Sequence, residues 1–398
     1  MSTPTITPAS DPPPPLVPRE WHLRLDPLLL LASVGLIVCS IVTLKGATAN
    51  DIPGDPHYYV IRQGIYGGAG LVLMYVVSRL DYSRLREVRH ILYGLMVFLV
   101  VAVLAIATAT RGAKSWIALP FFNFQPSELG KVLLVVALAG FLVDRMRQMN
   151  RHVTARVMLL GLIPTMLVMG EPDLGSASVY VIATLALLFV AGAPWRHFVA
   201  LLALFAVAVS LVLIVAPKAG VHVLKPYQTQ RLTAFLHPSA DPRSAGYQQQ
   251  QSKIAIGSGE KTGRGVANAT QTRLNFLPEH HTDFIFAVVG ETYGFAGCAL
   301  VLSLYALIVW RGLHILTVAK NLYGALIAGG VTAMLLFQLF VNVGMNVGIM
   351  PITGVTAPLL SYGGSSVLST FLALGLLHSI HAQARETAER KGRATVLQ

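Results

Sequence analysis

Apolar residues run in long blocks along this chain, separated by short polar stretches, and ten blocks stand out. They are Pro27–Leu44, Gly64–Val77, Ile91–Ala109, Leu129–Val143, Val157–Gly170, Leu174–Ala193, Phe198–Ala216, Phe284–Val309, Leu322–Met345 and roughly Thr356–Ile380. Several approach the ~20 apolar residues that carry an α-helix across a bilayer. The second and fifth are short, and Pro164 interrupts the fifth. The pattern predicts an all-α membrane protein, a polytopic bundle of about ten transmembrane helices. A large extracytoplasmic loop then falls between helices seven and eight. An even number of spans returns both termini to one side.

Composition agrees. Hydrophobic residues are 54% of the 398, charged residues 12%, and mean hydropathy is +0.62, whereas soluble domains carry about a quarter charged residues. A soluble chain of two or three domains is excluded. The expected organisation is a disordered cytoplasmic tail at 1–24, a transmembrane domain at 25–382 with the extracytoplasmic loop at 217–283, and a cytoplasmic tail at 383–398. The Pro/Ser/Thr-rich start lacks the basic and apolar regions of a signal peptide. Cys39 and Cys298 lie far apart inside apolar runs and read as inert thiols.

Net charge is +12, and its placement orients the chain. Arg79, Arg84, Arg86 and Arg89 follow the second run, and Arg145, Arg147, Arg151 and Arg156 follow the fourth. Arg311 and Lys320 follow the eighth, and Arg385, Arg390, Lys391 and Arg393 lie in the tail. This is a positive-inside distribution with both termini cytoplasmic. No nucleic-acid partner is expected. The stretch Pro217–Thr282 breaks the rule: it falls outside yet holds Lys218, Lys225, Arg231, Arg243, Lys253, Lys261, Arg264 and Arg273. Long loops translocate regardless of charge, so the excess suits an anionic partner on that face or an incidental solvated surface.

Ionisable groups at membrane depth mark function by default, and four segments carry them. In RGAKSWIALPFFNFQPSELGK, Pro126 suits the first turn of a helix, and Glu128 and Lys131, three apart, can pair inside the bundle. That pair is either a packing device or part of a polar cavity; Trp116 reads equally as an interfacial anchor. In EPDLGSA, Asp173 is a helix cap or a site residue. In LNFLPEHHTDFIFAVVGETYG, Asp283 stands at the mouth of the eighth run and Glu291 lies eight residues deeper. Adjacent His280 and His281 diverge in direction, so no metal set is expected. In NVGIMPITGVTAPLLSYGGSS, Pro, Gly and Ser predict a broken or re-entrant approach to the last helix, tolerated only where protein or water satisfies the backbone. A transporter and an intramembrane transferase both remain open.

The stretches FQPSELGK, EPDLGSA, YQTQRLTAFLHPSADPRSAGYQQQQSKIAIGSGE, LPEHHTDFIFAVVGE and PITGVTAPLLSYGGSS resemble the signatures of the SEDS family, whose members are RodA, FtsW and SpoVE. The HTDFIFAVVGE and GVTAPLLSYGGSS wording looks more like RodA. The resemblance implies a peptidoglycan glycosyltransferase that polymerises lipid II at the outer face of the cytoplasmic membrane, for cell elongation and shape. An FtsW-like division role and a lipid II flippase are the alternatives. It implies that Asp283 is catalytic, that Trp116 is functionally important and that Glu128 and Lys131 belong to a central polar cavity; Arg231 and Lys253 would offset the pyrophosphate charge, and Arg111, Lys114, Asp173, Glu291 and Ser361 are further candidates for binding the lipid II substrate. It also implies a class B penicillin-binding transpeptidase as partner, and MreC and MreD in an elongation complex. It implies no defined cofactor; a divalent cation could assist, with no ligand set visible. The chain departs from the family pattern at Glu171, usually Gln, at Glu260, often Gly, and at Thr292, commonly acidic.

Overall fold

A computed structural model describes residues 25–49, 51–106, 116–118, 123–146, 149–171, 173–212, 217, 235 and 245–396. The chain is a helical bundle. Helices α1 Pro27–Ala47, α2 Tyr58–Arg79, α3 Arg89–Ile106, α4 Pro126–Val143, α5 Arg151–Gly170, α6 Leu174–Val190 and α7 Trp195–Ser210 come first. Short helices α8 Ala245–Ser258, α9 Gly265–Asn268 and α10 Thr270–Arg273 follow, then the long α11 Ile285–Val318, α12 Leu322–Val347 and α13 Gly364–Val396. Among the described residues, α1 to α5 and α11 to α13 are long and apolar enough to cross a membrane, while α6 and α7 are shorter apolar helices.

Helix boundaries depart from the apolar runs where polar residues are buried. The second helix starts at Tyr58, ahead of Gly64, because Gln63 is sequestered, donating to Ser40 Oγ (2.9 Å) and to the Ser361 carbonyl (3.2 Å). Helix α5 passes through Pro164. A proline withdraws the N–H that the carbonyl four residues back would accept; here that carbonyl, Leu160, accepts from the Tyr93 hydroxyl (2.8 Å) instead. The last helix starts at Gly364 rather than near Thr356, after a segment without regular structure, and continues to Val396 through residues expected to form a tail.

Helices α4, α12 and α13 are mostly buried, whereas α3 is largely exposed and α7 has no buried residue. Apolar surface left open on peripheral helices is what lipid requires. Small residues set the crossings: a Cβ at Gly70 would stand 2.1 Å from the Phe371 ring, and one at Gly130 would stand 2.0 Å from the Tyr180 hydroxyl.

One end of the bundle gathers charge. Buried Asp26 caps α1, accepting from Leu28 N and Leu29 N, and its Oδ2 accepts from Arg311 Nε (2.7 Å) of α11. Its own N–H donates to His378 Nδ1 (3.1 Å) on α13. Asp144, after α4, pairs with Arg86 and with Arg89 (2.6 Å). The polar segments singled out above lie at the other end.

Candidate functional site

At that other end, helix starts and irregular segments interlock. Residues Ile117 and Ala118 pair antiparallel with Phe124 and Asn123. Gln125 precedes α4, whose first residue is Pro126; its N–H donates to Ser365 Oγ (2.9 Å) and its amide to Asp173 Oδ2 (3.1 Å). Asp173 caps α6 by accepting from Ser176 N (2.8 Å). Within α4, Lys131 Nζ donates to Glu128 Oε1 at 2.7 Å, both side chains nearly inaccessible. The pair expected from spacing therefore exists inside the bundle.

The irregular segment before α13 is the hub. Left-handed Gly348 ends α12. A Cβ on Gly175 would meet the Thr353 carbonyl at 2.9 Å and Val355 at 2.7 Å, so α6 begins against this segment. Gly354, at φ +78°, leaves its Cβ position 3.6 Å from Asp283 Oδ2, which places the Asp283 carboxylate beside it.

Half-buried Asp283 lies in a turn whose backbone is pinned at three successive carbonyls. His281 O accepts from Tyr362 N (2.9 Å), and Thr282 O from Ser361 Oγ (2.6 Å). Asp283 O accepts from Asn342 Nδ2 (3.0 Å) and Asn346 Nδ2 (3.1 Å). These asparagines stand four apart on α12, hence on one face. Asn342 also donates to Val355 O (2.8 Å), and Asn346 Oδ1 accepts from Ala287 N (3.1 Å). Neither was identified from sequence, although two amides at that spacing in an apolar helix are a readable signal. Ser361, placed among substrate residues by resemblance, spends its hydroxyl on this backbone and on Ala357 N.

Glu291 is fully buried, and the structure gives it a different task from the one its depth suggested. Its Oε1 accepts from Gln271 N (2.8 Å), and its Oε2 from Thr272 N (3.0 Å) and Thr272 Oγ1 (2.7 Å). The carboxylate thus fastens α10 to α11. Just beyond, Gly294 at φ +65° breaks α11. Phe295 N and Ala296 N turn to the carbonyls of Glu260 (2.9 Å) and Lys261 (3.1 Å), and the Glu291 carbonyl accepts from Arg264 N (2.9 Å). A Cβ at Gly294 would lie 2.3 Å from Gly263 N, so only glycine fits this crossing. Glu260 itself adopts φ +47°.

Lys253 is exposed on α8 with its stem against Gly348, and Trp116 is exposed. Arg111, Lys114 and Arg231 lie outside the described residues.

The adjacent histidines do not diverge as expected. Left-handed Glu279 turns the chain, the two rings stand edge to face with centroids 5.5 Å apart, and His280 Nε2 lies 3.0 Å from Asp51 Oδ2. Burial opposes charge on His280, yet the hydrogen bond and charge of Asp51, the Leu277 carbonyl and Glu279 hold its pKa above the ordinary histidine value. The fully buried Glu171, beside Asp173, is pushed up to about 8, by burial first and the neighbouring charge second.

Comparison with known proteins follows this geometry. A family model described as "Cell cycle protein", FTSW_RODA_SPOVE, matches residues 23–386. The peptidoglycan glycosyltransferase MrdB of Escherichia coli K12 is 37% identical over 363 residues, covering 91% of this chain and 95% of that protein. A solved chain from a peptidoglycan synthase complex, described as coordinating polymerization and crosslinking, superposes with TM-score 0.77 at 33% identity, covering 91% of this chain and 99% of that one. The rod shape determining protein RodA of Thermus thermophilus superposes with TM-score 0.66 at 30% identity, covering 90% and 97%.

Proposed function

Because the chain belongs to the family of FtsW, RodA and SpoVE cell-cycle proteins, we propose that it is a peptidoglycan glycosyltransferase of the cell membrane, polymerising lipid II for elongation and cell shape with Asp283 as its base. The end of the bundle carrying Asp283 faces outward in this reading, and both termini are cytoplasmic. The support is the clustering of Arg86, Arg89, Arg311 and Lys320 around the opposite end.

The reaction needs a base on the acceptor hydroxyl and a stabilised leaving group. Asp283 takes the proton of the acceptor GlcNAc 4-hydroxyl. That oxygen bonds to the anomeric carbon of the donor MurNAc, whose bond to the pyrophosphate oxygen breaks with its electron pair. Undecaprenyl pyrophosphate leaves. Lys253, with Arg231 of the same loop, offsets the released charge as positive clamps do elsewhere. Trp116, with Arg111 and Lys114 upstream of it, borders the lipid-linked substrate, and the Glu128–Lys131 pair and Asp173 line the approach. Ser361 and Glu291 serve it indirectly, by fixing the Asp283 turn and the loop.

The observation that carries the assignment is the anchoring of three successive carbonyls, His281 to Asp283, by α12 and the Ala357–Tyr362 turn. Catalysis gains from a base whose position is fixed before substrate arrives. A class B penicillin-binding transpeptidase is the expected partner, in keeping with the synthase complex that contains a similar chain. MreC and MreD are further expected members of an elongation assembly.

The test is incubation of purified protein with lipid II, alone and with that transpeptidase, with glycan strands resolved on gels. Wild type should polymerise, and Asp283→Asn should lose at least about a hundredfold in rate, the lower end of general-base contributions. Polymerisation by Asp283→Asn at the wild-type rate would remove Asp283 as base. Absence of product in both wild-type conditions would favour a lipid II carrier.

A further inference from the structure

We propose that Asp51, His280 and His281 form a binding site for one divalent transition-metal ion of the zinc class, clamping the α1–α2 connection to the segment that carries Asp283. One ligand atom from each residue lies within 4.8 Å of the other two. Zinc held by imidazole nitrogen and carboxylate oxygen at about 2.0–2.2 Å sets its ligand atoms roughly 3.3 Å apart. The Asp51–His280 separation of 3.0 Å already matches, and the third arm lies within a side-chain adjustment.

The tautomer of His280 argues for a cation. Its Nδ1 lies 3.1 Å from the Leu277 carbonyl, which can only accept, so Nδ1 carries the proton. In the neutral ring, Nε2 then presents a lone pair to a carboxylate oxygen. Two acceptors in a site this buried repel unless a positive species lies between or beside them. A proton satisfies that pair alone; a metal ion also uses His281. A metal-bound histidine commonly donates its other N–H to a backbone carbonyl, and Leu277 already fills that place.

The donor set selects the metal. Two imidazoles and one carboxylate suit Zn²⁺, Co²⁺ or Ni²⁺ better than Mg²⁺ or Ca²⁺, which prefer oxygen. Three protein ligands leave a position for water. The adjoining rings of Tyr59 and Tyr362, 4.6 and 6.0 Å from His281, bound the site. Bound metal would join loop residues 229 positions apart in sequence, only two residues from Asp283. It would restrain the turn through its side chains, where Asn342, Asn346 and Ser361 hold its backbone carbonyls.

The experiment uses the full chain in detergent, stripped with chelator and dialysed. Zn²⁺ is titrated by calorimetry, Co²⁺ by its visible d–d bands, and thermal unfolding is followed with and without Zn²⁺. Wild type should bind one equivalent and unfold at higher temperature when loaded. Asp51→Asn and His280→Gln should each weaken binding by at least about tenfold, since even outer-shell partners matter on that scale, and should lose the metal-dependent thermal shift. Their metal-free unfolding close to that of stripped wild type would show that the variants are folded. Absence of a stoichiometric Zn²⁺ or Co²⁺ site in wild type, or undiminished affinity in both variants, would overturn the proposal. These readouts do not depend on polymerase activity, so failure of the glycosyltransferase reading leaves them intact.

Discussion

Replacing Glu171 by Gln should stabilise this protein at neutral and alkaline pH and leave it unchanged in acid. Glu171 follows the last residue of α5 and is fully buried, two residues from Asp173, which is held by Ser176 N and the Gln125 amide. Burial and the Asp173 charge push its pKa from 4.5 to about 8. A pKa raised on folding means that the folded state keeps a proton the unfolded state gives up. The group's contribution is fully present below pH 4.5, declines as pH rises, and is lost through the folded value near 8. At about pH 7.5 the gap is about 3 units, worth at most about 4 kcal/mol at 1.36 kcal/mol per unit. Glutamine keeps the shape of the neutral acid and does not titrate. Spread over 398 residues, 4 kcal/mol corresponds to a rise of about 5 °C in Tm on the per-residue unfolding entropy of soluble domains. Unfolding in detergent followed by tryptophan fluorescence from about pH 4.5 to 9 measures it. The wild-type and Glu171→Gln curves should converge in acid and separate with rising pH. Parallel curves would refute the argument.

Two other substitutions test local physics. Glu260 adopts φ +47°, so Glu260→Gly should raise stability by about 1 kcal/mol, the scale of left-handed strain for a side-chain-bearing residue; a lower Tm would mean that its side chain has a role outweighing the strain. Lys131→Met should cost about 3–5 kcal/mol by stranding the Glu128 charge, whereas the double variant Glu128→Gln/Lys131→Met should recover most of that loss. A single variant as stable as wild type would show that the pair carries no buried charge.

Much of this architecture is visible in one dimension because a membrane helix is specified by local composition. The α1, α3 and α12 runs, Pro126 at a helix start, the Asp173 cap and the Glu128–Lys131 pair all rest on neighbours within a turn or two. The same locality explains the errors. The second apolar run begins only after Gln63, because the partners that bury it, Ser40 and the Ser361 carbonyl, come from elsewhere in the chain. The partners of Glu291 are equally hidden, since nothing nearby in sequence announces that Gln271 and Thr272 will take both its oxygens. Adjacent histidines diverge in an extended strand; here left-handed Glu279 replaces the strand with a turn, and Asp51 arrives from another connection. The Asp283 anchors escaped notice because Asn342 and Asn346 act on a carbonyl about sixty positions away, which no spacing rule reaches.

The break at Gly294 has a mechanical consequence. Before it, the first part of α11, residues 285–293, is about nine residues and roughly 13 Å long at 1.5 Å per residue. Its far end is held by Arg264, whose N–H donates to the Glu291 carbonyl, while Glu260 and Lys261 hold Phe295 and Ala296 just past the break; its near end adjoins Asp283. The segment is therefore a short rigid lever between the loop and Asp283. A pull on the loop, as from a docked neighbour, would act at the break itself and reach Asp283 as a tilt of this short segment.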